Sequence, residues 1–145
     1  MRGKITIKDI HKERVVYLEE EGFSEAKAMG LITKILIWLQ QKDIGLTDLP
    51  LVVLEKNKSF KACIPIKDAK LKEEGNFKID ILPSHRMGIL VHEDVDKPIS
   101  LTENFLERQL KYDGFSLLEP RRYIFHQNKE KPELPIVEIQ IPVHK

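Results

Sequence analysis

The sequence predicts an α+β fold made of a tandem ββαββ repeat, and three observations predict it. First, residues 14–67 and 86–144 match in outline. Arg14-Val15-Val16-Tyr17 answers Arg86-Met87-Gly88-Ile89, Pro50-Leu51-Val52 answers Pro120-Arg121-Arg122, and Ile64-Pro65-Ile66 answers Ile141-Pro142-Val143. Second, segments of period two come in neighbouring pairs, which favours hairpins and a mostly antiparallel sheet over a β-α-β alternation. Third, only two stretches have the i, i+3, i+4 spacing of an amphipathic helix. A duplicated unit has pseudo-two-fold symmetry, and two facing halves are expected to leave a central cleft.

The elements follow in order. Lys4–Ile10 alternates apolar and polar residues and reads as a half-buried strand. His11-Lys12-Glu13 reads as a turn, and Val15–Glu19, rich in β-branched and aromatic residues, as the partner strand. Ser24 is a helix N-cap with Lys27 three residues on. The helix predicted over residues 25–42 gathers Leu31, Ile32, Ile35, Leu36, Trp38 and Leu39 on one side, and Gly45 follows it. Pro50 bars further helix; Leu51–Leu54 and Phe60–Ile66 read as strands around the turn Asn57-Lys58-Ser59. Residues 70–76 are polar and form the linker between repeat one (1–69) and repeat two (77–145) of a single domain, 1–145.

Repeat two has the same plan. Phe77–Leu82 and Met87–His92 read as strands around Pro83-Ser84-His85. Ser100, with Glu103 three residues later, predicts a capping box for a helix carrying Leu101, Phe105, Leu106 and Leu110 and ending near Gly114. A strand lies within Leu118–Gln127, a polar loop spans residues 128–135, and Ile136–Val143 is the last strand.

Composition bounds the function. The chain has 145 residues, enough for one domain with its own core. The 24 basic and 23 acidic residues leave a net charge of +1, without the basic excess of a direct nucleic-acid binder. The apolar run Ile35–Leu39 is far too short to span a bilayer, and Met1-Arg2-Gly3-Lys4 does not lead into an apolar signal core. One cysteine, Cys63, rules out an internal disulfide framework. The reading is cytoplasmic. The histidines His11, His85, His92, His126 and His144 have no metal-ligand spacing and read as surface residues. No phosphate-binding glycine loop or nucleophile-elbow motif is present, so neither a metal nor a cofactor is expected.

Taken together, Leu82-Pro83-Ser84-His85-Arg86-Met87-Gly88, the helix ending at Gly114-Phe115, Pro120-Arg121-Arg122-Tyr123 and Val137-Glu138-Ile139-Gln140-Ile141-Pro142-Val143 resemble the GyrI-like small-molecule binding domain, the effector-binding domain of bacterial transcription activators. The resemblance covers nearly the whole chain. It implies the tandem fold and a cleft for amphipathic small molecules, here in a stand-alone form. It also implies two alternatives: a protein-interaction module that modulates gyrase, and a small-molecule hydrolase using Glu138. Cation-binding relatives tend to carry a Glu two residues before the Tyr, where this chain has Arg121 before Tyr123. An arginine there offers a planar fork for a carboxylate or phosphate, so the expected ligand is neutral or anionic.

The expected ligand-binding residues are Tyr17, Trp38, Arg121, Tyr123 and Glu138. Arg121 and Tyr123 share a strand face, and Glu138 interrupts an apolar strand. Tyr17, Trp38 and Tyr123 offer apolar rings with one polar handle, although Trp38 fits the helix–sheet core better. Arg121 and Glu138 stand where repeat one has Leu51 and Lys61. Exposed strand edges leave a homodimer or a protein partner open.

Overall fold

A computed structural model describes residues 4–145. The strands are β1 (Thr6–Ile10), β2 (Glu13–Glu21), β3 (Leu51–Leu54), β4 (Ser59–Pro65), β5 (Lys78–Leu82), β6 (His85–His92), β7 (Ser116–Leu117), β8 (Arg121–His126) and β9 (Ile136–His144). The helices are α1 (Glu25–Gln41) and α2 (Ile99–Tyr112). The α+β class, the two helices and the antiparallel pairing are as expected. The two-residue β7 was not expected. Met1, Arg2 and Gly3, which entered the reading against a signal core, lie outside the described residues. No helix among the described residues is long and apolar enough to cross a membrane.

The chain divides into two compact units: β1 with His85–Lys145, and His11–Ser84. The first has strand order β1-β6-β9-β8, with β7 on β9; the second has β5-β2-β4-β3. Each pairing within the units is antiparallel. The order is the same in both once β5 is matched to β1, β2 to β6, β4 to β9 and β3 to β8.

The hairpins expected at His11–Glu13 and Pro83–His85 do not form. β1 pairs with β6, and β5 with β2, so each unit takes its first strand from the other sequence half. Turn chemistry gives the reason. A two-residue hairpin needs positive φ at its central residues, supplied by Asn-Gly or Gly. His11-Lys12 and Pro83-Ser84 have neither Asn nor Gly, proline holds φ near −65°, and none of the four has positive φ. The chain therefore leaves each strand extended.

α1 begins as expected: Ser24 Oγ accepts from Lys27 N at 3.1 Å, a cap that contributes about 1 kcal/mol. α2 begins differently. Its N-cap is Pro98, with no side-chain cap, and Ser100 lies inside the first turn. Glu103 therefore does not close a capping box. Gly114, with φ of +92°, ends α2 in the left-handed conformation that glycine adopts without strain.

α1 packs on β4 and β2, and α2 on β6. Ala28, Ile32, Ile35 and Leu39 are buried from α1, Leu106 and Leu110 from α2. Gly88 of β6 marks the side of its sheet that faces α2, because a Cβ there would stand 2.7 Å from both Leu110 methyls. Leu110 is itself fully buried, so it has no room to yield. Gly88→Ala should destabilise the protein by about 1–3 kcal/mol through overpacking. A urea denaturation midpoint unchanged from the parent would contradict this contact.

Candidate functional site

Register decides what each candidate residue meets. In β8 and β9, Tyr123 is opposite Ile139, Arg122 opposite Gln140 and Ile124 opposite Glu138. In β6 and β9, Gly88 is opposite Ile141, Ile89 opposite Gln140 and Val91 opposite Glu138. Opposed residues share a face, and neighbours along a strand alternate. Arg121 and Tyr123 therefore lie on the Gly88 side, towards α2. Glu138, Gln140 and Arg122 lie on the other side, among Met87, Ile89, Val91 and Ile124. The expected convergence of Arg121 and Tyr123 with Glu138 does not occur.

On the α2 side, Arg121 Nη1 donates to Glu103 Oε2 and to Glu107 Oε2, both at 2.6 Å. Glu119 Oε1 is 3.8 Å from Nε. Tyr123 donates its phenolic proton to Glu103 Oε1. Glu103 and Glu107 stand one turn apart on α2 and would repel each other without Arg121 between them. Burial works to lower the Arg121 pKa, but the bonds to Glu107 and Glu103 outweigh it and hold the guanidinium firmly protonated. Burial, and then the bond to Glu103, push Tyr123 well above the usual phenol range. Arg121 is thus committed to α2, which removes the premise for an anionic ligand. Glu103 entered the sequence reading only as a capping-box residue and Glu107 not at all; their i, i+4 spacing was the signal available for them.

The register also corrects the repeat alignment. Leu51 is opposite Cys63, the residue before Ile64, and Arg122 is opposite Gln140, the residue before Ile141. Arg122, not Arg121, is the twin of Leu51. Arg122 is buried and engaged in its own interactions. A slip of one residue exchanges the two faces.

Away from α2, Glu138 has its side chain 19% exposed. Its Oε1 is 2.9 Å from His126 Nε2, and its Oε2 accepts from Gln140 Nε2 at 2.7 Å. His126, read from the sequence as a surface residue, is therefore part of this group. In the other unit, the twin residue Lys61 is 3.7 Å from both Glu55 and Asp80, with its ammonium 4.7 Å from the centre of the Tyr17 ring. Burial raises the Tyr17 pKa against the lowering effect of Lys61.

Trp38 belongs to the core, at 4% exposure. It stacks on Phe77 at 4.5 Å and donates to Glu74 Oε2 at 2.9 Å. That bond, followed by one from Lys42, holds the Glu74 carboxyl below its usual range. Tyr17, Phe77 and Glu74 border an open hollow of about 650 Å³, with Leu18, Leu31 and Lys34. Among the described residues, no group of three His, Cys, Asp or Glu side chains has a metal-binding arrangement.

Solved structures share this architecture from end to end. The EcmrR C-terminal domain is 20% identical, with a TM-score of 0.84 over 98% of both chains. The fold is that of the GyrI-like effector-binding domain. The chain spans 57% of the EcmrR polypeptide in its complex with DNA. SAV2435 bound to tetraphenylphosphonium shares the GyrI-like fold with a TM-score of 0.60 and 14% identity, over 98% of this chain and 94% of the other. A hydrolase from Listeria innocua gives 0.62 at 10% identity, over 97% and 92%. No family model matches the sequence, and no curated protein is significantly similar to it.

Two outcomes follow for the GyrI-like unit around α2. Arg121→Met, which leaves Glu103 and Glu107 facing each other, should cost about 2–3 kcal/mol by denaturant titration, below the ~3–5 kcal/mol of a fully buried pair. A loss under ~0.5 kcal/mol would deny the pairing. Because folding raises the Tyr123 pKa, its contribution is fully present below the unfolded phenol value of about 10 and is lost as pH rises beyond it. Ultraviolet titration of the native protein should leave one tyrosine un-ionised until alkaline unfolding. In Tyr123→Phe that resistant tyrosine should be missing.

Proposed function

We propose that the protein binds a small amphipathic molecule as an effector, and that Glu138 anchors it. The GyrI-like fold supports this reading, as does the tetraphenylphosphonium held by SAV2435. The observation that carries it is the setting of Glu138: a largely buried carboxylate on a strand whose neighbours are otherwise mostly apolar, with an amide and an imidazole as its hydrogen-bond partners. Burying a carboxylate is costly unless charge or donors compensate, and neither Lys nor Arg is paired with Glu138 among its described contacts. A cationic group on a ligand would supply that compensation. Val91 and Ile124 stand opposite Glu138, an apolar surround on a sheet face that also carries the buried Arg122, which has interactions of its own.

The charge preference replaces the neutral or anionic ligand expected from Arg121, whose charge Glu103 and Glu107 already balance. A matched pair of probes tests it, since tetraphenylphosphonium and tetraphenylborate have the same shape and opposite charge. Calorimetry should show the phosphonium binding at least ~10-fold more tightly, equivalent to ~1.4 kcal/mol. Glu138→Gln should abolish that preference while leaving the melting temperature intact. Tighter binding of the borate, or a preference unaffected by Glu138→Gln, would reject the reading.

A further inference from the structure

Gln140 carries an unmet demand. It is 5% exposed, and its Oε1 is one of two buried side-chain polar atoms without a hydrogen-bond partner among the described residues. The orientation of the amide is dictated by chemistry. Glu138 Oε2 only accepts, so Gln140 turns its NH2 towards it, at 2.7 Å, and the carbonyl oxygen is left over. Buried polar atoms are paired in the great majority of proteins, so an unpaired one calls for an explanation.

The other unit provides an internal comparison. At the twin of Gln140 stands Cys63, fully buried and small. At the twin of Glu138 stands Lys61, whose charge is met within its own unit by Glu55 and Asp80. The same two positions of the fold are thus filled by the protein's own groups in one repeat. In the other they present two acceptors side by side, the Glu138 carboxylate and the Gln140 carbonyl. Residues two apart on a strand share a face, so one ligand head group can meet both. A donor that takes Oε2 of Glu138 displaces the Gln140 NH2. The amide then turns, and its Oε1 accepts a second donor.

From this we propose that the effector is an amphipathic cation carrying at least two N–H donors on its charged head, such as an amidinium, a guanidinium or a primary ammonium, rather than a donor-free lipophilic cation. A cation without donors meets the charge of Glu138 but leaves the Gln140 oxygen unpaired. A forked N–H head meets both, and hydrogen bonds that involve a charged donor are the stronger kind. The inference rests on Glu138 being the anchor, and it adds the chemistry of the head group.

Two probes with one ring system and one charge separate the terms: biphenyl-4-carboxamidinium, which has N–H donors, and biphenyl-4-yltrimethylammonium, which has none. By calorimetry on the full chain, the amidinium should bind at least ~10-fold more tightly. Gln140→Met, close in volume and apolar, should weaken the amidinium by about that factor and leave the trimethylammonium unchanged. Its melting temperature should change little, because losing the unpaired oxygen offsets losing the Gln140 bond to Glu138. Equal binding of the two probes, with both lost in Glu138→Gln, would overturn the donor inference and leave the anchor standing; the Gln140 oxygen would then be met by water alone. A donor advantage that survives in Gln140→Met would overturn it as well. Binding of neither probe would remove the anchor and the inference together.

Discussion

The pleat of β8 and β9 is the constraint on which the rest depends. Side chains alternate across a strand with period two, so Arg121 and Arg122, adjacent in sequence, are sent to opposite sides of one sheet. The register that places Tyr123 opposite Ile139 commits Arg121 and Tyr123 to α2. It commits Arg122, Glu138 and Gln140 to the other side. Moving the pairing by one residue would bury Glu138 beneath α2 beside Glu103 and Glu107, three carboxylates with one arginine left facing away. The electrostatic cost of that arrangement reinforces the hydrophobic pattern in specifying the observed register.

Charge in this protein then divides into two roles. Arg121 between Glu103 and Glu107 ties the outer part of α2 to β8, and the phenol of Tyr123 completes the group. In the other unit, Lys61 between Glu55 and Asp80 links β4 to β5 and the end of β3. Both are cations held by two carboxylates, and the charge of each is balanced within its own unit. Glu138 is the reverse case: an anion whose partners are an amide and an imidazole. On the proposed reading, the partner that completes this group comes from outside the chain.

Much of the fold was legible in the sequence because it is written in local periodicity. The α1 face of Ile32, Ile35 and Leu39 follows from 3.6-residue spacing, and the Ser24 cap from a hydroxyl at the right position. Strand pairing was less legible. The hairpin expectation treated His11-Lys12 and Pro83-Ser84 as turns because they are short and polar, although neither has the residues a tight hairpin needs. The charged partners were not legible at all. Glu107 and His126 meet Arg121 and Glu138 through folds of the chain 14 and 12 residues long, and no periodicity reports such a contact. The one-residue error between Arg121 and Arg122 shows how far this reaches: an alignment of repeats that is correct in outline still assigns the wrong side chain to the wrong face.

Duplication explains why the two halves diverge where they do. The order of pairing is repeated, β1-β6-β9-β8 against β5-β2-β4-β3, because a buried sheet tolerates only substitutions that keep its packing. Lys61 and Glu138 occupy equivalent points of that order on strands with the same Ile-Pro end. A charge at such a point is costly in both units. One unit compensates by raising carboxylates around it, and Glu55 and Asp80 then leave little for a ligand to add. In the other unit, Glu138 is met by the Gln140 amide NH2 and the His126 imidazole, and the Gln140 carbonyl beside it has no partner among the described residues. The proposed cationic ligand would gain more from this group than from the Lys61 group, where Glu55 and Asp80 already meet the charge. On the proposed reading, recognition is concentrated where the second copy of the unit departs from the first, while the shared framework holds both in place.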